Sequence, residues 1–145
     1  MGRSEIRITI GCPLSHVFAT YTQPDTWRWA NMRSVRWTKG NPWEVDSRMR
    51  IEPDNAYGVI VDQVLMHFEP YRRVDFIGHF GGITMQSQVR FRALSDHLTE
   101  IESHLEFIGM FSRIAGFAVG SAIEHGVQRF YQDLKRECER TAPRT

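Results

Sequence analysis

Cysteine is scarce. Cys12 and Cys138 are the only two in 145 residues. They lie near opposite ends, in no metal-binding or redox spacing, so neither a disulfide framework nor a thiolate metal site is expected. No charge of one sign dominates. Lys and Arg number 18 against 17 Asp and Glu, for a formal net charge of +1, so no global field draws the chain to nucleic acid or an anionic membrane. Long apolar runs are missing as well. The uncharged stretch that opens the terminal helical segment, Ile114 to Ile123, is too short and too glycine-rich for stable membrane insertion. Met1 to Glu5 enters an alternating segment with no apolar signal core, and Glu5-Ile6 is a poor myristoylation context, so a cytoplasmic location is expected. No two histidines stand four apart on a helix. Neither a nucleophile–base pair, a glycine-rich phosphate loop nor a nucleic-acid motif is present. The expectation is therefore no metal, no cofactor and no nucleic-acid partner.

What remains is rich in large apolar groups: nine Phe, four Trp and four Tyr, with 41% hydrophobic and 24% charged residues. This is ordinary for one globular domain, taken as residues 1–145. Period-two alternation dominates. Ile6, Ile8 and Ile10 form a first strand, broken at Gly11-Cys12-Pro13. Pro13 suits the first turn of a short helix bearing Leu14, Val17 and Phe18, and Asp25 could cap a second one carrying Trp27. Further strands are read at about Ser34–Lys39, Val45–Glu52, Val59–Phe68, Arg73–Phe80, Ile83–Ala93 and Leu98–Phe107.

Gly81-Gly82 fits a two-residue hairpin loop and fixes a register. Phe80 faces Ile83, Gly78 faces Met85, Phe76 faces Ser87 and Val74 faces Val89. A loop at Ser95-Asp96-His97 then pairs Arg92 with Glu100 and Arg90 with Glu102 outside, and Phe91 with Ile101 and Val89 with Ser103 inside. Opposite charges across the ladder support that register at about 0.2–1 kcal/mol each. From about Ser112 to Arg140 the period becomes helical, with Val119, Ile123, Val127, Phe130 and Leu134 on one stripe. The first half of this helix is uncharged on every face and must be covered by the fold, a partner or a ligand.

This order of elements resembles the START/Bet v 1-like (SRPBCC) superfamily, in its polyketide cyclase/dehydrase and lipid-transport group. The matching signatures are short. Ile6 to Pro13 with Val17-Phe18 is similar to the opening strand and helix start of that group. Asp25-Thr26-Trp27-Arg28-Trp29 is similar to its "D-x-x-x-W" segment, and Glu69-Pro70-Tyr71-Arg72-Arg73-Val74 to its "D/E-P-x-R-R-L" turn. Gly11-Cys12 departs from the usual Ala before the proline, and Asp46 stands where glycine is common. The resemblance implies an α+β helix-grip fold: a seven-stranded antiparallel sheet wrapped around a long C-terminal helix, with two short helices after strand one. It also implies a cavity between sheet and helix. No catalytic residue set is shared across the superfamily, so none carries over. A cystatin-like fold is disfavoured because the longest helix comes last.

The expected lining follows from the inner-face positions: Trp37, Met49, Ile51, Met66, Phe76, Phe80, Met85, Ser87, Val89, Phe91, Ile101, Ser103, Leu105 and Phe107, with Phe117 and Ser121 from the helix. Apolar walls with a few polar groups are what ligand pockets have. Ser87 and Ser103 are the informative members, since a hydroxyl on a buried strand face needs a partner. Weak acid–base candidates are Glu124, His67 and Tyr57; alternation points His67 outward, and a solvated role is the simpler reading for Glu124. His125 is placed opposite the apolar stripe. The leading expectation is binding of a small hydrophobic molecule, lipid-, aromatic- or polyketide-like. A polyketide cyclase or dehydratase is the alternative. A protein-interaction module or homodimer without ligand is the third reading.

Overall fold

The computed structural model describes residues 3–53, 60–80, 82–108 and 113–142; the side chains of 113–120 lie outside the description. The elements are β1 (Arg3–Ile10), α1 (Leu14–Tyr21), β2 (Met32–Lys39), β3 (Arg48–Pro53), β4 (Val61–Glu69), β5 (Arg73–Phe80), β6 (Ile83–Ser95), β7 (Leu98–Ile108) and α2 (Arg113–Thr141). The strands form one antiparallel sheet in the order β1-β7-β6-β5-β4-β3-β2. Consecutive strands from β2 to β7 are neighbours, as short hairpin connections require. Only β1 and β2 break the rule: the segment holding α1 carries the chain from one edge of the sheet to the other.

The register read from the hairpins is the one observed. Phe80 faces Ile83, Gly78 Met85, Phe76 Ser87 and Val74 Val89. Arg92 faces Glu100, Arg90 Glu102, Phe91 Ile101 and Val89 Ser103. The reason is the period-two rule: one slipped residue would turn Val74, Phe76, Val89 and Ile101 to water together. Gly81 itself lies outside the described residues. The second loop is tighter than expected, because Ser95 pairs with Leu98 after a bulge that leaves Leu94 unpaired.

Three boundaries differ from the sequence reading. The second short helix is absent, and residues 25–30 are turns instead. Arg28 N–H bonds Asp25 O at 3.3 Å, Ala30 N–H bonds Trp27 O at 3.0 Å, and Trp27 takes φ 55°. Tertiary bonds override the helical capping signal. The indoles of Trp27 and Trp29 donate to Tyr21 O and Thr20 O at 3.0 and 3.2 Å, satisfying carbonyls at the end of α1 that no helical partner reaches. Strand three starts at Arg48 rather than Val45. Asp46, standing in place of the common glycine, has φ 75°, a conformation Asp tolerates better than most residues, and Val45 is exposed. In β4 a bulge between Leu65 and His67 inserts Met66 as an extra residue, so Phe68 still reaches Val74. Of the expected strand-four start, Val59 lies outside the described residues.

α2 crosses the concave face of the sheet. Its second half is fixed: Phe130, Tyr131, Leu134 and Cys138 are buried. Polar bonds lock it to the β1–α1 corner. Lys135 Nζ donates to Thr9 O at 2.8 Å and Gly11 N–H to Glu139 Oε2 at 2.9 Å, while His16 Nε2 meets Cys138 O at 3.1 Å. Beneath this half, aromatic rings fill the space between helix and sheet. Trp27 meets Phe130 edge-on at 4.7 Å, and Phe18 and Tyr21 meet Phe91 at 5.1 and 5.2 Å. Edge-to-face pairs of this kind contribute about 0.5–1.5 kcal/mol beyond their burial. Cys12 and Cys138 are both buried free thiols. Among the described residues no helix is long and apolar enough to cross a membrane.

Candidate functional site

Between this aromatic cluster and the second one around Phe80 and Phe107, the inner face of the sheet carries small side chains. Gly78, Ser87, Val89 and Ser103 follow one another across β5, β6 and β7. A Cβ at Gly78 would already come within 3.0 Å of Val61 Cγ1. Small groups facing a helix that bulky neighbours hold away leave a void, because neither layer can collapse onto the other. The result is a cavity of ≈ 330 Å³ between the sheet and α2, at the lower end of the range for small-molecule sites.

Its sheet wall is Ile51, Pro53, Val61, Gln63, Phe76, Met85, Ser87, Val89, Ser103 and Leu105, joined by Met32 at the start of β2. Tyr21 and Trp27 close the α1 end, and Ala122, Ile123, His125, Gly126, Val127, Arg129, Phe130 and Tyr131 make the helical wall. Ala122, His125, Gly126 and Arg129 are exposed, so the mouth lies along α2.

Inside, the polar groups are neutral. Gln63 is buried, with Nε2 3.3 Å from Met49 Sδ. Burial pushes the Tyr131 hydroxyl up to about 12, and it holds Tyr21 well above the ordinary phenol value, with the neighbouring Tyr131 adding to the rise. The Ser103 hydroxyl beside Tyr131 pulls the other way. Their mutual geometry falls short of a hydrogen bond, however, and Ser103 Oγ has no hydrogen-bond partner among the described residues. Both phenols stay protonated at neutral pH and can donate. No Asp or Glu among the described residues lines the cavity.

Seven of the residues expected to line the cavity do so: Ile51, Phe76, Met85, Ser87, Val89, Ser103 and Leu105. Others on the same face belong to solid core instead. Met49, Phe91 and Ile101 lie in the main cluster, and Phe80 in a second one with Phe107 against it. Trp37 is half-buried, held by its indole bond to Thr26 Oγ1 at 2.9 Å and an edge-on contact with Trp43. Two expectations are overturned outright. Met66 is 45% exposed, since the β4 bulge turns it outward, and Ser121 faces solvent on the open side of α2. The side chain of Phe117, and all of Tyr57, lie outside the described residues. Glu124 is half-buried but does not reach the cavity. His67 points outward, 3.1 Å from Glu69.

Tyr21, Trp27, Gln63, His125, Arg129 and Tyr131 are lining residues that the sequence reading missed. Two had a signal. Gln63 sits between Val61 and Leu65 in the inner alternation of β4, and Tyr131 lies one turn beyond Val127 on the helical stripe. His125, expected opposite the stripe, reaches the lining because the cavity opens along a broad arc of the helix.

On the convex face Glu5, Glu102 and His104 come together. Arg7 already holds both carboxylates, at 2.9 Å to Glu5 and 3.8 Å to Glu102, so the cluster reads as a surface ion-pair network.

No family model and no curated protein sequence matches the chain. Solved structures do match its shape. Ara h 8.0201 superposes with a TM-score of 0.77 at 12% identity, over 97% of this chain and 99% of that one. The chain has the helix-grip fold of the Bet v 1-like proteins. Two enzymes share it. Norcoclaurine synthase from Thalictrum flavum, solved with dopamine and hydroxybenzaldehyde, matches with a TM-score of 0.76 at 6% identity, covering 99% and 89% of the two chains. The Zhui aromatase/cyclase from Streptomyces sp. R1128 gives 0.71 at 13% identity over 96% and 94%. At such identities the helix-grip likeness concerns the backbone, and function has to be argued from the cavity.

Proposed function

We propose that this protein binds a small hydrophobic molecule in the cavity between its sheet and α2. The observation that carries the reading is the cavity itself: ≈ 330 Å³, walled by apolar side chains, open along one helix. A domain with no use for such a space gains by filling it, since each unfilled methylene-sized void costs about 1 kcal/mol. Burial of an apolar ligand supplies the driving force, at about 25 cal/mol per Å² removed from water. Ser87, Ser103, Gln63 and the protonated Tyr131 then orient the ligand by hydrogen bonds, and the unpartnered Ser103 hydroxyl has the most to gain. Norcoclaurine synthase, which shares this fold and was solved with two aromatic molecules, agrees with a ligand having a flat ring body.

A cyclase or dehydratase would need a proton acceptor against the substrate. Among the described residues the lining has no carboxylate, and its single imidazole, His125, stands at the mouth. Binding is therefore the better-supported reading. The protein-interaction or homodimer reading rests on the uncharged half-helix, whose side chains at 113–120 lie outside the description, or on the outer face of the sheet.

Native mass spectrometry of freshly purified protein, together with titration of the neutral fluorophore N-phenyl-naphthylamine, tests the proposal. A retained small molecule, or saturable blue-shifted fluorescence that it displaces, supports it. A chain that carries nothing and leaves the fluorophore unbound overturns it.

A further inference from the structure

We propose that the ligand is a carboxylate-bearing amphiphile whose anionic end sits at the cavity mouth between His125 and Arg129. This rests on the cavity being a binding site and names what it selects. The first observation is charge. His125 and Arg129 are the only lining side chains able to carry positive charge, and no lining carboxylate among the described residues offsets them. The second is that Arg129 lacks the partner its helix would give it. Asp133, one turn on, is the natural i,i+4 carboxylate, but it accepts from Asn31 N–H at 3.1 Å and is paired with Arg136 at 3.4 Å. Further along α2, Lys135 and Arg140 also have carboxylates, Glu139 and Glu137, whereas Arg129 and His125 have none within 4.0 Å among the described residues.

Orientation follows from burial. The inner polar groups, Ser87, Ser103, Gln63 and Tyr131, are all neutral, and none can compensate a buried anion. A charged headgroup placed there would bear an uncompensated desolvation cost. At the mouth the same group keeps partial hydration and meets a guanidinium whose planar fork matches a carboxylate. His125 lies one turn earlier on the helix, about 6 Å along the axis, close enough to share the headgroup. The guanidinium is the permanently charged group at the mouth, and a single such charge matches a monoanion, which favours a carboxylate over a dianionic phosphate. The apolar wall beside the mouth strengthens the pairing by lowering the local dielectric.

The test uses two fluorophores with the same ring body: neutral N-phenyl-naphthylamine and anionic anilinonaphthalene sulfonate. The ratio of their affinities is the readout. In the wild-type protein the anionic probe is expected to bind about 10-fold more tightly, and R129Q should reduce the ratio by about 5- to 10-fold. R92Q, which alters an ion pair on the convex face, should leave it unchanged. The advantage should shrink in high salt, and decanoate should displace the anionic probe where decanol does so only weakly. An unchanged ratio in R129Q, or equal competition by decanol, overturns the anionic-headgroup proposal. Failure of both probes to bind overturns the cavity reading instead. Arg129 is exposed, and a melting curve of R129Q matching the wild type excludes misfolding as the cause of any loss.

Discussion

Gly126 offers a test in which stability and binding move in opposite directions. It lies in the interior of α2, it lines the cavity, and a Cβ added there would meet no atom within 4 Å. Glycine at an internal helical position costs about 1 kcal/mol relative to alanine, because the unfolded chain loses more backbone freedom on folding. G126A should recover most of that, with no steric penalty to offset it. Unfolding entropy of about 2.1 cal/mol/K per residue, over 145 residues, converts 1 kcal/mol into about 3 °C of Tm. G126L keeps nearly the same helical propensity but extends a branched side chain into the space a ligand would occupy. Its Tm should match or exceed the wild type, while affinity for N-phenyl-naphthylamine falls by about 10-fold or more. Calorimetry and fluorescence titration on the same samples give both numbers. Ordinary core overpacking would instead lower stability by about 1–3 kcal/mol. A lower Tm in G126A would mean that the helix face is not open, and wild-type probe affinity in G126L would refute the cavity as the binding site.

S103A removes a buried hydroxyl with no hydrogen-bond partner among the described residues, so ligand-free stability should rise by about 1 kcal/mol in urea unfolding; a loss of that size would show that Ser103 is bonded to Tyr131 in solution. At alkaline pH the raised pKa values give a definite sign. Burial holds Tyr131 at about 12 against 10.0, and Cys138 at about 12 against 9.0. Between those values the unfolded chain has lost protons that the folded chain keeps. The stability these groups contribute is thus full below about pH 9 and lost as pH rises towards 12, on the order of 3 kcal/mol for Tyr131. Urea midpoints measured against pH should decline over that window, and above about pH 10 the decline should be shallower in Y131F. Below it both thiols should resist Ellman's reagent until the protein unfolds, and rapid labelling of native protein would contradict their burial.

The sequence by itself determined the sheet and its register. Alternation is a local property, and the Phe80–Ile83 and Arg92–Glu100 pairings follow from loop length and strand period alone. It determined the terminal helix for the same reason, and it placed Ser87 and Ser103 on the inner face. It could not decide which inner-face residues border a void and which fill the core. Met49, Phe91 and Ile101 carry the same alternation signal as Ile51, Phe76 and Leu105, yet only the latter three reach the cavity. That division depends on where the rings of Tyr21, Trp27 and Phe130 come to rest, which is a matter of packing between segments distant in the chain. The tertiary structure also turned Met66 outward through a bulge and replaced the second short helix with turns tied to the end of α1. It left Arg129 at the mouth by committing Asp133 elsewhere. Each outcome was settled by hydrogen bonds and contacts between elements, and local propensity contains no information about those.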